Sequence, residues 1–579
     1  MSYYIDDAGE LLLLCIFPFI DSSLQDATDL TNNFDKVLFE GYDDLYVKGF
    51  STHSNPILEF IFYYSVFSIV VPYMFYVTYN LSQETHPNYY LYSNLLSQGW
   101  IFGRKVDNSD FQYAQFRSNL PKLFAVACIY LLCSQFYRFS TYTRIKSTDN
   151  KLKQTYFYLC SSLLIVTALH GTSFIKILCI TTTSYLIGQS TKGSVWNPVL
   201  TWIFNLIVLF ANEYYTGYTF ASIGFPQLDE YKGFLPRWHI FFKFCMLRLI
   251  SFNMDYYWQF KKSRTQYEDI SESNPTDKER ISVPCHSTDY NYFNFLTFIL
   301  YTPLYICGPI VTFNDFISQI RYPSSRVNSR YIVLYAVRLV AVILTMEITL
   351  HYLYVVAISK AEAWKSDTPM ELSMISYFNL LVIWMKLLIP WRFFRLWALA
   401  DGIYPEENMI RCMSNNFSAQ RFWKSWHRSF NRWTIRYIYI PLGGSKYFAF
   451  SMWVVFTFVA LWHDIEMKLL AWGWLVCLFL LPEIIGSRLF TFKKYGHTSY
   501  YRIVCGIGAV GNILMMMVAN LVGFCLGVDG MKEMLHQIFS SANGLLFLAA
   551  VVFCLFIAAQ IMFEIRESEK RRGDPKWTM

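Results

Sequence analysis

The chain is 579 residues long, 54% hydrophobic and only 16% charged, against about 25% Asp, Glu, Lys and Arg in an ordinary soluble chain. That balance excludes a soluble globular protein and predicts an all-α polytopic membrane protein, since a helix satisfies its own backbone polar groups in lipid. The formal charge of +7 is spread over loops and one helix face, so nucleic acid is not an expected partner and anionic membrane lipids are.

At the N-terminus, LLLLCIFPFI (Leu11 to Ile20) is a ten-residue apolar run preceded by Asp6, Asp7 and Glu10. A signal peptide would carry positive charge there, so the run reads as a short interfacial or re-entrant piece within a separate segment, 1–56. A spanning helix needs about 20 apolar residues. Runs near that length begin at Ile57 to Leu81, Leu120 to Phe139, Thr155 to His170, Phe174 to Gly188, Val195 to Ala211 and Ile240 to Phe252. They continue at Phe293 to Val311, Tyr331 to Ile358, Ser373 to Leu396, Phe448 to Leu461, Leu469 to Ile485, Val504 to Val528 and Gly544 to Ile565. Residues 57–565 therefore form one membrane domain of roughly ten to twelve spanning and re-entrant helices.

Residues 259–290 interrupt this domain with mixed charge, Ser and Pro, which predicts a solvated loop without chemistry of its own. A charged tail, 566–579, follows the last apolar run, and its basic cluster favours the cytoplasmic side. The 13 cysteines show neither a disulfide framework nor metal-ligand spacing, and no metal is expected. No pair of Gly-interrupted short spans recurs in two halves, so the repeat architecture of many transporters is not favoured.

Two histidines stand out. His463 in FVALWHDI ends an apolar run, with Trp462 before it and Asp464 after it; an ionisable group at such a place is costly to desolvate, which makes it the first catalytic candidate. His427 lies 36 residues upstream in FWKSWHRSFNRW, among Trp423, Trp426, Trp433, Lys424, Arg428 and Arg432. A histidine in either setting serves as a hydrogen-bonded structural residue or as a catalytic one, and the residues leave both open. Lys424, Arg428, Arg432 and Arg436 recur every four positions while Trp423, Trp426, Phe430, Trp433 and Tyr437 recur every three or four. That pattern predicts one amphipathic helix from Trp423 to Tyr437 with a single cationic face. Its cations either snorkel to headgroups or meet phosphate of a lipid or acyl donor.

The block from Phe422 to Tyr447 together with LWH at His463 resembles the signature of the membrane-bound O-acyltransferases. The likeness extends to the yeast Gup branch (glycerol uptake, GPI-anchor remodelling) over most of the chain from about Phe60. It is carried by LLSQGWIFGRKVDNSD (Leu95 to Asp110), TPLYICGPIVTFND (Thr302 to Asp315), KLLIPWRFFRLWALADGI (Lys386 to Ile403), LWHDIEMKLLAWGWL (Leu461 to Leu475) and IMFEIRE (Ile561 to Glu567). The first fifty or so residues and the stretch from Ser263 to Ile281 match weakly.

The resemblance implies that His463 is the essential histidine and that His427 is its upstream partner, a position that varies among His, Asn and Asp across branches. It also implies acyl transfer to a hydroxyl with acyl-CoA as donor substrate and no bound cofactor. The acceptors implied are lyso-GPI-anchored proteins or a lysophospholipid, in the endoplasmic reticulum with the plasma membrane as a second location. Histidine suits removal of a hydroxyl proton, so His463 is assigned as general base and His427 as an oxyanion-stabilising or positioning partner. Lys424, Arg428 and Arg432 are weaker candidates for phosphate, Trp423 for substrate contact and Asp464 for orienting a histidine. The alternative is uptake or proton symport of glycerol or a similar polyol, or its regulation.

Overall fold

The computed structural model describes residues 56–142, 149–261, 276–364, 367–498 and 500–572. The Leu11 to Ile20 run lies outside these residues, as does the end of the tail from 573.

Eight helices among the described residues are long and apolar enough to cross a membrane: Ile57–Leu81, Phe111–Thr141, Ser329–Tyr352, Pro369–Ala400, Gly444–His463, Met467–Leu489, Tyr501–Phe524 and Ala542–Arg571. Four more helices, Asp149–His170, Ser173–Thr191, Trp196–Tyr214 and Trp238–Lys261, have 19 to 24 residues and are not among those eight. The only sheet among the described residues is an antiparallel pairing of Leu96–Gln98 with Lys105–Asp107. The chain is thus an all-α, multi-pass membrane protein.

Pro369–Ala400 is the central helix, with 72% of its most apolar window buried against 6% for Ile57–Leu81, which lies at the periphery. Its start is fixed by a capping box between Thr368 and Glu371 with Pro369 at the first turn. Buried charge along it is paired: Arg392 and Arg395 reach Glu407 at 3.7 and 3.5 Å, and Tyr335 donates to the same carboxylate at 2.7 Å. Breaking such a buried set costs several kcal/mol, about 3–5, because the remaining charge is left without compensation.

Three expected spans are interrupted. The run Phe293 to Val311 forms Tyr292–Leu300 and then the short turn Thr302–Tyr305, with Pro303 inside it and Gly308 at a φ of +124°. Ser329–Tyr352 ends before a separate helix Val355–Lys360, and Tyr501–Phe524 ends before Gly527–Phe539, where Gly527 has a φ of +67°. A connection buried in protein is as apolar as a span, so composition does not separate them.

Both polar boundaries also move. The last helix runs through the start of the expected tail to Arg571, and Arg566 and Glu569 are buried. There Glu569 pairs with Arg411 at 2.7 Å and Arg566 donates to the Asn415 carbonyl at 2.6 Å. Within the expected loop 259–290, a capping box at Thr276 starts the helix Asp277–Ser282, whose buried Arg280 pairs with Asp315 at 2.9 Å.

Candidate active site

Helix Phe448–His463 packs as a hairpin against Met467–Leu489, which packs in turn against Tyr501–Phe524. Between these helices, the central helix and the segment around 416–439 lies a cavity of about 600 Å³. Most of its wall is apolar, including Ile383, Leu387, Met452, Leu480 and Met516, and both His427 and His463 line it.

His463 ends its helix and keeps accessible surface, which opens on the cavity. Trp462 and Trp472 meet its ring edge-on at 5.0 and 6.2 Å. Trp472 is held by donation from its indole to Asn520 Oδ1 at 3.2 Å. Phe430 and Trp462 each touch both histidine rings, so two aromatic side chains bridge the pair.

The single amphipathic helix expected from Trp423 to Tyr437 does not form. Ala419–Ser425 is helical, His427 sits at φ +45° and ψ +50°, and Arg428–Thr434 resumes before a π-turn over Ile435–Tyr439. The break comes from a distant strand of chain. Met409 bridges to Trp426 in antiparallel fashion, and the Asn408 carbonyl accepts from the Arg428 N–H at 3.1 Å. Asn408 Oδ1 then accepts from the Ser429 N–H at 3.2 Å and from its hydroxyl at 2.6 Å. Left-handed backbone at a non-glycine residue costs about 1–3 kcal/mol and persists only where its surroundings determine it, commonly at functional sites. Here it turns the imidazole onto Trp391 of the central helix.

His427 is buried, and its Nε2 has no hydrogen-bond partner. It lies in a turn outside the spanning helices, where burial, reinforced by the nearby His463, holds its pKa well below the ordinary imidazole range. His427 is therefore neutral at physiological pH, with one N–H to donate.

The cations do not share one lipid-facing side. Arg432 and, at 3.9 Å, Arg428 engage Glu406, and Arg436 pairs with the buried Asp255 at 2.9 Å. Neither Arg428 nor Arg432 lines the cavity, whereas Lys424 and Trp423 do. Asp464 also lines it, but its carboxylate accepts from the Ile465 N–H at 2.9 Å, and adjacent side chains diverge. Glu483 anchors the short helix that carries Trp423, accepting from the Ser418 hydroxyl and from the Ala419 N–H at 2.8 Å.

Sequence reasoning missed Trp391, Asn408 and Glu406. Trp391 stands in one of the long matching motifs, which is a signal; nothing local marks Asn408 or Glu406.

Membrane helices closed around an apolar cavity with two histidines in its wall make an arrangement suited to chemistry on a lipid-like substrate. Residues 229–528 match the family model described as MBOAT, membrane-bound O-acyltransferase family. The chain is 49% identical over 530 residues to membrane-bound O-acyltransferase GUP1 of Candida tropicalis, covering 89% of this chain and 88% of that one. It is 46% identical over 541 residues to membrane-bound O-acyltransferase GUP1 of Saccharomyces cerevisiae, covering 91% and 95%. A partial match, 30% over 192 residues, covers 32% of this chain and 38% of mouse protein-cysteine N-palmitoyltransferase HHAT. The chain belongs to the membrane-bound O-acyltransferase family and is an acyltransferase.

Proposed function

We propose that this enzyme transfers a long or very long fatty acyl group from acyl-CoA to a lipid hydroxyl, re-acylating lyso-GPI anchors in the endoplasmic reticulum. The observation that carries the reading is that His463 and His427, on separate helical segments, line one largely apolar cavity. An acyl chain fits such a wall, and an apolar site suits a reaction whose donor must be protected from hydrolysis.

In the reaction, the His463 imidazole takes the proton of the acceptor hydroxyl as its oxygen bonds to the thioester carbonyl carbon. The carbonyl oxygen gathers negative charge, and in this reading the N–H of His427, on the wall of the same cavity, donates to it. The C–S bond then breaks, the ester is left, and the sulfur takes the proton from His463 to leave as thiol. Lys424, in the cavity wall, is the remaining candidate for donor phosphate.

Two measurements test the reading. Cells lacking the protein should accumulate lyso-GPI-anchored proteins; fully remodelled anchors would overturn the acceptor assignment. Purified protein in detergent should transfer label from acyl-CoA to lyso-phosphatidylinositol without any sealed compartment, which a transporter of polyols would not do.

A further inference from the structure

His463 is the last residue of its helix, where the backbone carbonyls have no intrahelical partner. Lys243, on helix Trp238–Lys261, fills that place. Its Nζ donates to the His463 carbonyl at 3.0 Å and is itself paired with Glu213 at 3.2 Å. The preceding residue is tied to the same lysine in the opposite sense, since the Trp462 indole donates to the Lys243 carbonyl at 3.1 Å. Phe244 braces that indole edge-on, with centroids 5.5 Å apart. Two consecutive residues at one helix end are thus clasped by one residue that lies about 220 positions away in sequence.

We propose that Lys243, held in place by Glu213, is a positioning residue for His463. The proposal rests on the reading of His463 as the base. An ammonium suits this place because it supplies a charge-assisted hydrogen bond and complements the negative end of the helix dipole. Asp464 does not serve the same end, since its carboxylate is turned to the Ile465 N–H. A helix terminus without its cap frays, and the imidazole presented by its final residue moves with it. Misplacement of about 1 Å costs on the order of 100-fold in rate.

The test uses the full-length protein in detergent micelles, with labelled acyl-CoA and lyso-phosphatidylinositol as probes. Lys243→Met should lower kcat by roughly tenfold to a hundredfold and leave the KM for acyl-CoA unchanged, as expected for an effect on the transition state alone. Lys243→Arg should recover most of the rate, Glu213→Gln should fall between, and Lys243→Met should add nothing in a His463→Ala background. Wild-type kcat in Lys243→Met beside an inactive His463→Ala would overturn the positioning role alone. Full activity in His463→Ala would overturn the catalytic reading itself. If Lys243→Met does not fold, Lys243→Arg and Glu213→Gln decide: wild-type kcat in Glu213→Gln, or no recovery by arginine, counts against the clasp.

Discussion

His427 lies flat against Trp391, with ring centroids 4.3 Å apart and planes 19° from parallel, and Phe430 stacks on it at 5.1 Å. The imidazole plane is therefore set by the central helix and by the short helix that follows, while the bond network of Asn408 sets its backbone. Because burial keeps this ring neutral, a neutral amide can replace it. His427→Asn should retain partial acyl transfer, and the pH profile of the remaining activity should keep its shape above about pH 6. A shifted acid limb would show that His427 titrates in turnover.

His463, the proposed base, is a sharper case. Loss of a general base costs about 10² to 10⁴ in rate, so His463→Ala should abolish nearly all transfer while the protein remains folded and inserted. The measurement is lyso-GPI accumulation in cells expressing each variant at matched levels. Complete remodelling by His463→Ala would make this histidine structural.

Asn408 tests whether the left-handed turn matters. Asn408→Ala removes the acceptor of two Ser429 donors, at about 1–3 kcal/mol for each buried group left unsatisfied, and frees the turn that aims His427. Both the melting temperature and kcat should fall. Asn408→Asp keeps the acceptor oxygen and should retain more of both; equal loss in the two variants would argue against an acceptor role.

Gly523 lines the cavity, and a Cβ there would lie 2.9 Å from Cγ and Cδ1 of Trp472. Gly523→Ala should push that ring, which faces His463, away from its bond to Asn520. The expected result is a fall in transfer with little loss of expression, read by kcat and by tryptophan fluorescence. Unchanged values in both would mean that the ring has room to move.

Much of the fold class was legible in composition, because the bilayer demands long apolar helices and few charges. The place of His463 at the end of an apolar helix was legible too, since a histidine closing an apolar run is costly wherever that run packs. Local periodicity misled at Trp423 to Tyr437, where spacing of three and four residues describes a continuous helix that the structure breaks at His427. The cause of the break is Asn408, and the partners of the cations are Glu406 and Asp255. Periodicity registers only neighbours within a turn or two of helix. Hydrogen bonds and ion pairs to distant segments decide where a helix stops, which way a histidine points and which arginines are already engaged, and those exist only once the chain has packed. The sequence by itself determined the membrane class and singled out the two histidines; the tertiary structure decided that His427 and His463 line one cavity, that Trp391 stacks on the first and Lys243 bonds the carbonyl of the second, and that Arg428 and Arg432 engage Glu406.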